Sequence, residues 1–148
     1  METAIEFGIG FQAKGSMANR ICFPLRENGA LIGYAGRTTL DVTPENPKWL
    51  LPRGLQRTFL FGLEKTDPTK PPLILCESPW GAIWLTQHKL QAAALVGNSL
   101  TDAQERLLEP YAEIRVCMDN DFAGREAAAK IAERLKPNHK VTRAYLNG

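Results

Sequence analysis

Apolar positions along this chain change their spacing repeatedly, and each change marks an element. Near the front, Ile21-Cys22-Phe23-Pro24-Leu25-Arg26 and Leu31-Ile32-Gly33-Tyr34-Ala35-Gly36-Arg37 flank Glu27-Asn28-Gly29-Ala30. An Asn-Gly pair between two such runs predicts a β-hairpin, because both central residues of a type I′ turn need positive φ. Residues 38–54 are rich in proline and polar side chains and predict an extended loop. The short apolar and aromatic run 55–63 predicts one further strand. Lys65-Thr66-Asp67-Pro68-Thr69-Lys70-Pro71-Pro72 then breaks all periodicity. It divides the chain into a small β-rich subdomain, 1–70, and a second domain, 71–148.

Beyond that break, short apolar runs alternate with helical spacing. Strand 73–76 leads to a helix over 79–89, with Pro79 suited to a first helical position. Strand 92–96 leads to a helix over 102–108, where Thr101 and Gln104 have the spacing of a capping box. After strand 114–118, Ala128, Ile131, Ala132 and Leu135 recur at i, i+3, i+4, i+7. Pro137 and Asn138 stop that helix, and 141–146 is a last strand. Strand–helix alternation predicts an α/β fold: a mostly parallel sheet flanked by helices on both faces.

Composition narrows the class modestly. With 148 residues and 44% hydrophobic content, the chain can build a packed core. Its net charge of +2 does not announce a nucleic-acid binder by itself. The front half is uneven, however: Lys14, Arg20, Arg26, Arg37, Lys48, Arg53 and Arg57 face only Glu27, Asp41 and Glu45 between Phe11 and Leu60. Cys22, Cys76 and Cys117 sit in strand-like runs and read as reduced core thiols. No Cys-x-x-Cys pair offers a zinc ribbon within this chain, and no apolar run approaches membrane-span length. The expectation is a cytoplasmic protein with no membrane partner and no zinc in this chain.

The chemistry gathers at two strand ends. Leu73-Ile74-Leu75-Cys76 runs into Glu77, and Ile114-Arg115-Val116-Cys117-Met118 runs into Asp119-Asn120-Asp121. Acids at the carboxyl ends of parallel strands point into the crevice where open α/β sheets bind ligands. If the strands are neighbours, three hard oxygen donors converge, and such a set suits Mg²⁺ and phosphate chemistry. Asp121 has a plainer use as a helix cap. Trp80 and Trp84, four apart, are expected to pack one helix face; Trp49 and Phe59 also read first as packing residues. His88 and His139 lie at element ends without metal-ligand spacing. Ser78 and Ser99 have no histidine partner for nucleophilic chemistry.

Taken in order, these segments resemble one family. Glu77 at a strand end, then Asp119-x-Asp121 followed by Phe-Ala-Gly-Arg125, is similar to the TOPRIM domain of bacterial DnaG-type primases, topoisomerases and some nucleases. Asp-x-Asp-x-Ala-Gly-Arg-x-Ala-Ala is primase-like. Asn19-Arg20-Ile21-Cys22-Phe23-Pro24-Leu25-Arg26, the glycine-rich strand ending at Arg37, Pro47-Lys48-Trp49-Leu50 and Gly97-Asn98-Ser99-Leu100-Thr101 each resemble the corresponding primase segment.

The resemblance implies a Rossmann-like TOPRIM core beside a small basic β-rich subdomain. It implies that Glu77, Asp119 and Asp121 are catalytic residues holding Mg²⁺ or Mn²⁺. It assigns Arg20, Arg37, Lys48, Asn98, Ser99 and Arg125 to nucleotide or nucleic-acid contact. Edge-strand charge is the plainer role for Arg20 and Arg37, and a loop position for Lys48. The implied reaction is nucleotidyl transfer, RNA primer synthesis on single-stranded DNA in replication of a chromosome or mobile element. Nucleoside triphosphates are its substrates, and a replicative helicase would bind through regions outside this sequence.

Two alternatives stand beside it: a TOPRIM phosphodiesterase or nuclease, and a non-catalytic nucleic-acid-binding fragment of a larger primase. The sequence departs from the primase pattern at Gly81, where the glutamate motif has a second acid. A later acidic cluster and a preceding zinc module are also absent. A fragment or a minimal relative with weaker metal binding is the expectation.

Overall fold

The computed structural model describes residues 2–146. Asn28 and Gly29 take φ of 50° and 81°, so they close the hairpin with the positive-φ pair that a type I′ turn requires. The strands it joins are β2, Arg20–Glu27, and β3, Ala30–Thr38. They pair from Glu27↔Ala30 to Arg20↔Thr38, with one irregularity between Leu25 and Arg26. β1, Gly10–Gln12, lies outside β2, and the two-residue β4, Trp49–Leu50, lies outside β3. A short helix α1, Glu2–Glu6, precedes this antiparallel sheet. Thus residues 38–54 are not purely a loop: Arg37↔Trp49 pairing recovers two of them into the sheet.

The predicted strand over 55–63 does not form. Leu63–Lys65 is a 3₁₀ turn, and only Phe61 pairs, through reciprocal backbone hydrogen bonds of 2.9 Å with Ala94. Gly62 at φ 83° turns the chain before a ladder can extend. The described chain forms two compact units that part between Gln56 and Arg57, ahead of the proline-rich stretch 65–72.

The second unit is the α/β domain. Its strands are β5 (Leu73–Cys76), β6 (Ala92–Ala94), β7 (Glu113–Asp119) and β8 (Lys140–Leu146). They lie in the order β6-β5-β7-β8, and every pairing is parallel. The helices are α2 (Pro79–Gln87), α3 (Asp102–Leu107) and α4 (Phe122–Leu135). All four residues of β5 are buried, which requires cover on both faces. Leu75, Val116 and Met118 share a core with Ala128, Ile131 and Leu135 of α4, so the predicted 3.6-residue stripe is the packed face. The opposite face carries Cys76 and Cys117, register partners, with Gly81 of α2 against the Cys76 side chain.

Local signals set the helix starts. Ser78 caps α2 through Gly81 N–H, and Pro79 holds the first helical position. Thr101 and Gln104 form the reciprocal capping box of α3. Gln104 is fully buried because its amide also donates to the Phe59 and Leu95 carbonyls.

Candidate functional site

β5 and β7 are adjacent, with Cys76 opposite Cys117. Continuing that register brings Glu77 alongside Met118, one residue short of Asp119. The Cys76 thiol is pushed above its ordinary range chiefly by burial and the neighbouring Cys117. The negative charges of Asp119 and Glu77 add to it, which places both acids around one strand end. Glu77 is half-buried, and its backbone carbonyl accepts from Val96 N–H at 2.9 Å and Gly97 N–H at 3.3 Å. Val96 reaches that bond at φ 57°, a conformation that costs a β-branched residue on the order of 1–3 kcal/mol. Strain is thus concentrated where the loop after β6 meets the acid-tipped strand.

Asp119 and Asp121 are exposed on the turn between β7 and α4. Asp121 is the N-cap of α4: its Oδ1 accepts from Gly124 N–H at 2.6 Å. The plainer sequence reading of Asp121 is therefore realised, and it leaves the second carboxylate oxygen available. Gly124 is required by space. A Cβ there would lie 2.0 Å from the Asp119 carbonyl oxygen, so any side chain would push the helix off the strand end. Asn120 N–H donates to the Leu146 carbonyl at 3.1 Å, and the Asn120 Oδ1 accepts from Arg125 Nε and Nη2 at 3.0 and 2.8 Å.

Neighbouring strands do not by themselves make a cage. Among the described residues, no group of three or more His, Cys, Asp or Glu side chains is gathered closely enough to hold a metal ion. The strand adjacency that a convergence of Glu77, Asp119 and Asp121 requires is present, whereas the three side chains do not form a closed cluster. The donor chemistry nonetheless suits Mg²⁺, which keeps several waters and takes only one or two carboxylates.

The loop after β6 carries Asn98 and Ser99, both exposed. Arg57 grips it: Nη1 donates to the Ser99 carbonyl at 2.7 Å and Nη2 to Ser99 Oγ at 2.6 Å. A Cβ on Gly97 would lie 2.7 Å from Arg57 Nη1, so the glycine makes room for the guanidinium. Partial burial lowers the pKa of Arg57 from its ordinary value. In the sequence Arg57 is one basic residue of the front half among several. The signal was the glycine forty residues downstream, which means nothing without the fold.

The basic residues of the first unit separate in character. Arg20 is 4% exposed and donates to the Gly36 carbonyl at 3.1 Å, the Pro47 carbonyl at 2.9 Å and Asn46 Oδ1 at 2.8 Å. β2 is an inner strand, so Arg20 is no edge-strand charge. It ties β3 to the loop before β4. Arg37 lies over the Trp49 ring at 5.6 Å, and Trp49 in turn packs on Phe23, ring centroids 5.5 Å apart. Lys48 is exposed, with its carbonyl accepting from Thr38 N–H at 3.1 Å.

Two aromatic expectations change. Phe59 is buried, as a packing residue should be. Trp80 and Trp84, expected to pack one helix face, are 50% and 49% exposed. The buried side of α2 is Pro79, Ala82, Ile83 and Leu85, and the helix turns both tryptophans away from it. His88 lies against Trp84, ring centroids 4.2 Å apart. All three cysteines are buried free thiols, as expected of core residues. No helix among the described residues is long and apolar enough to cross a membrane.

Comparison with known proteins follows the same pattern. A family profile described as Toprim-like matches residues 74–147, from the second residue of β5 to beyond β8. The DNA primase of Geobacillus stearothermophilus is 32% identical over 127 residues, covering 82% of this chain and 21% of that primase. The chain therefore spans about a fifth of the length of the curated relatives it matches. Among solved structures, the DnaG catalytic core superposes with a TM-score of 0.77 at 23% identity, over 99% of this chain and 60% of that one. The DnaG primase catalytic domain bound to single-stranded DNA gives 0.69 at 25% identity, over 98% of this chain and 50% of that one. A fold shared across nearly the whole chain, acids at adjacent strand ends and a matching family profile agree: the chain belongs to the Toprim-like family and is similar to the catalytic region of bacterial DNA primases.

Proposed function

We propose that this chain is a primase-like nucleotidyl-transfer core, joining nucleoside triphosphates into an RNA primer on single-stranded DNA. One observation carries the reading: β5 and β7 are register neighbours, and both end in acids at the sheet's carboxyl edge. Glu77, Asp119 and Asp121 would hold Mg²⁺, or Mn²⁺ in its place. Bound there, the metal would lower the pKa of the attacking 3′-hydroxyl and neutralise charge on the leaving pyrophosphate.

The chain's own residues supply position. Asp121 is held by Gly124 N–H, so its carboxylate stays aimed from a fixed turn. Arg125 presents a guanidinium anchored on Asn120, suited to a phosphate oxygen. Asn98 and Ser99 stand on a loop held by Arg57 and offer polar contacts to a nucleotide. In the first unit, Arg37 and Lys48 are the basic residues in this reading that face solvent enough to meet a phosphate backbone. Arg20 contributes by fixing the strand and loop that carry them. Such a reaction belongs in the cytoplasm with its template, and a replicative helicase would join through other parts of a larger primase.

Asp119→Asn and Asp121→Asn should each abolish Mg²⁺-dependent primer synthesis on single-stranded DNA. Asn still caps a helix, so Asp121→Asn should alter stability by only about 0.5 kcal/mol. Synthesis at the wild-type rate in these variants overturns the reading. Strand shortening in place of extension identifies a phosphodiesterase. One feature favours a non-catalytic nucleic-acid-binding module: Gly81 stands where primases place a second acid. A Cβ there would meet Leu146 Cδ1 at 3.4 Å and Cys76 Sγ at 3.5 Å, apolar company for a carboxylate. Strand binding with neither extension nor cleavage is the result that selects this second reading.

A further inference from the structure

We propose that Phe122 is the surface against which this site stacks a nucleobase, an assignment that rests on the nucleotidyl-transfer reading above. Phe122 is 83% exposed, the most exposed large hydrophobic side chain among the described residues. It opens α4 between Asp121 and Ala123, on a turn whose side chains at 119, 120, 121 and 125 are polar and whose only other apolar side chain is the small Ala123. Burial in this chain does not explain it, because so exposed a ring withdraws little apolar surface from water.

Its backbone is nevertheless fixed. The Asp121 cap, at 2.6 Å from Gly124 N–H, and the bond from Arg125 N–H to the Asp121 carbonyl at 3.0 Å bracket it. Arg125, three residues on, shares its side of the helix, with its guanidinium held by Asn120 Oδ1. One hydrogen-bonded turn, residues 119–125, therefore carries an exposed aromatic ring, a guanidinium and two carboxylates. A nucleotide offers the matching parts: an aromatic base for the ring and phosphate oxygens for the guanidinium and a carboxylate-bound cation. The base would come from the incoming nucleotide or from the polynucleotide strand, and stacking tolerates either because every base has a π-face.

The test measures dissociation constants of the 148-residue chain in Mg²⁺ for ATP, for a short oligodeoxythymidylate, and for that strand with one abasic position. Phe122→Ala should weaken binding on the order of tenfold in one arm, while Phe122→Trp and Phe122→Tyr retain it and Phe122→Leu does not. Loss with ATP assigns the base to the incoming nucleotide. Loss with the intact strand, absent with the abasic one, assigns it to the polynucleotide. An unchanged thermal midpoint is expected, since the ring is exposed. If Phe122→Ala binds both probes as wild type does, or Leu rescues fully, stacking is overturned and the catalytic reading stands. If wild type shows no Mg²⁺-dependent binding that Asp119→Asn removes, both are overturned together.

Discussion

Arg20 shows how a side chain chosen for its charge can serve as a structural tie. Its guanidinium reaches across β3 because Gly36 has no side chain; a Cβ there would lie 2.9 Å from Arg20 Cδ. It then satisfies two carbonyls and the Asn46 amide oxygen in a nearly solvent-free position. Arg20→Ala should leave those acceptors unpaired and cost about 3 kcal/mol in denaturant unfolding. Arg20→Lys should recover little of it, since an ammonium cannot fork to three acceptors. The apolar run that marks the strand begins at Ile21, one residue after Arg20, and carries no trace of a burial that depends on Gly36, Asn46 and Pro47 arriving from elsewhere. Gly124 is a second such case. Its identity was visible within a motif, whereas the 2.0 Å approach to the Asp119 carbonyl was not. Gly124→Ala should lower stability by about 3 kcal/mol or prevent folding, read as a fall in thermal midpoint.

At the level of elements, what was legible was local. The Asn28-Gly29 hairpin, the Pro79 helix start and the Thr101–Gln104 capping box depend on residues within a few positions of one another, and each formed. What escaped was decided at long range. β4 is too short to leave a periodic trace, and Phe61 pairs with a residue more than thirty positions away. The exposure of the α2 tryptophans escapes for a related reason: i, i+4 spacing shows that two residues share a face but not which face is covered. The consequence is measurable. Leu85→Ala should cost about 2–4 kcal/mol, whereas Trp84→Ala should cost well under half of that despite the larger side chain. Equal costs in chemical denaturation would mean that Trp84 is packed after all.

For the whole molecule, the acid-tipped sheet was readable because buried parallel strands are continuous apolar runs. The site was readable only in part, since adjacency of β5 and β7 brings the carboxylates to one edge without closing them into a cluster. Stability should also respond to alkali. Burial raises the Cys22 thiol above its ordinary value, with Arg20 pulling it back only partly. A raised folded pKa means this contribution is intact below the unfolded thiol range, about pH 8.5, and is lost as pH climbs toward the folded value. The denaturant midpoint should therefore fall as pH rises above about 8.5, and Cys22→Ala should remove part of that fall.

The parallel sheet also has two unlike borders. Beyond β6, the reciprocal bonds between Phe61 and Ala94 occupy backbone groups that another strand would need. Beyond β8, no further strand of the described chain pairs, and Lys140 Nζ lies 3.9 Å from a carboxylate oxygen of Glu113 on the neighbouring β7. The sheet is thus blocked at Ala94 on one side and open on the other. A strand recruited from a larger assembly would have to add beside β8.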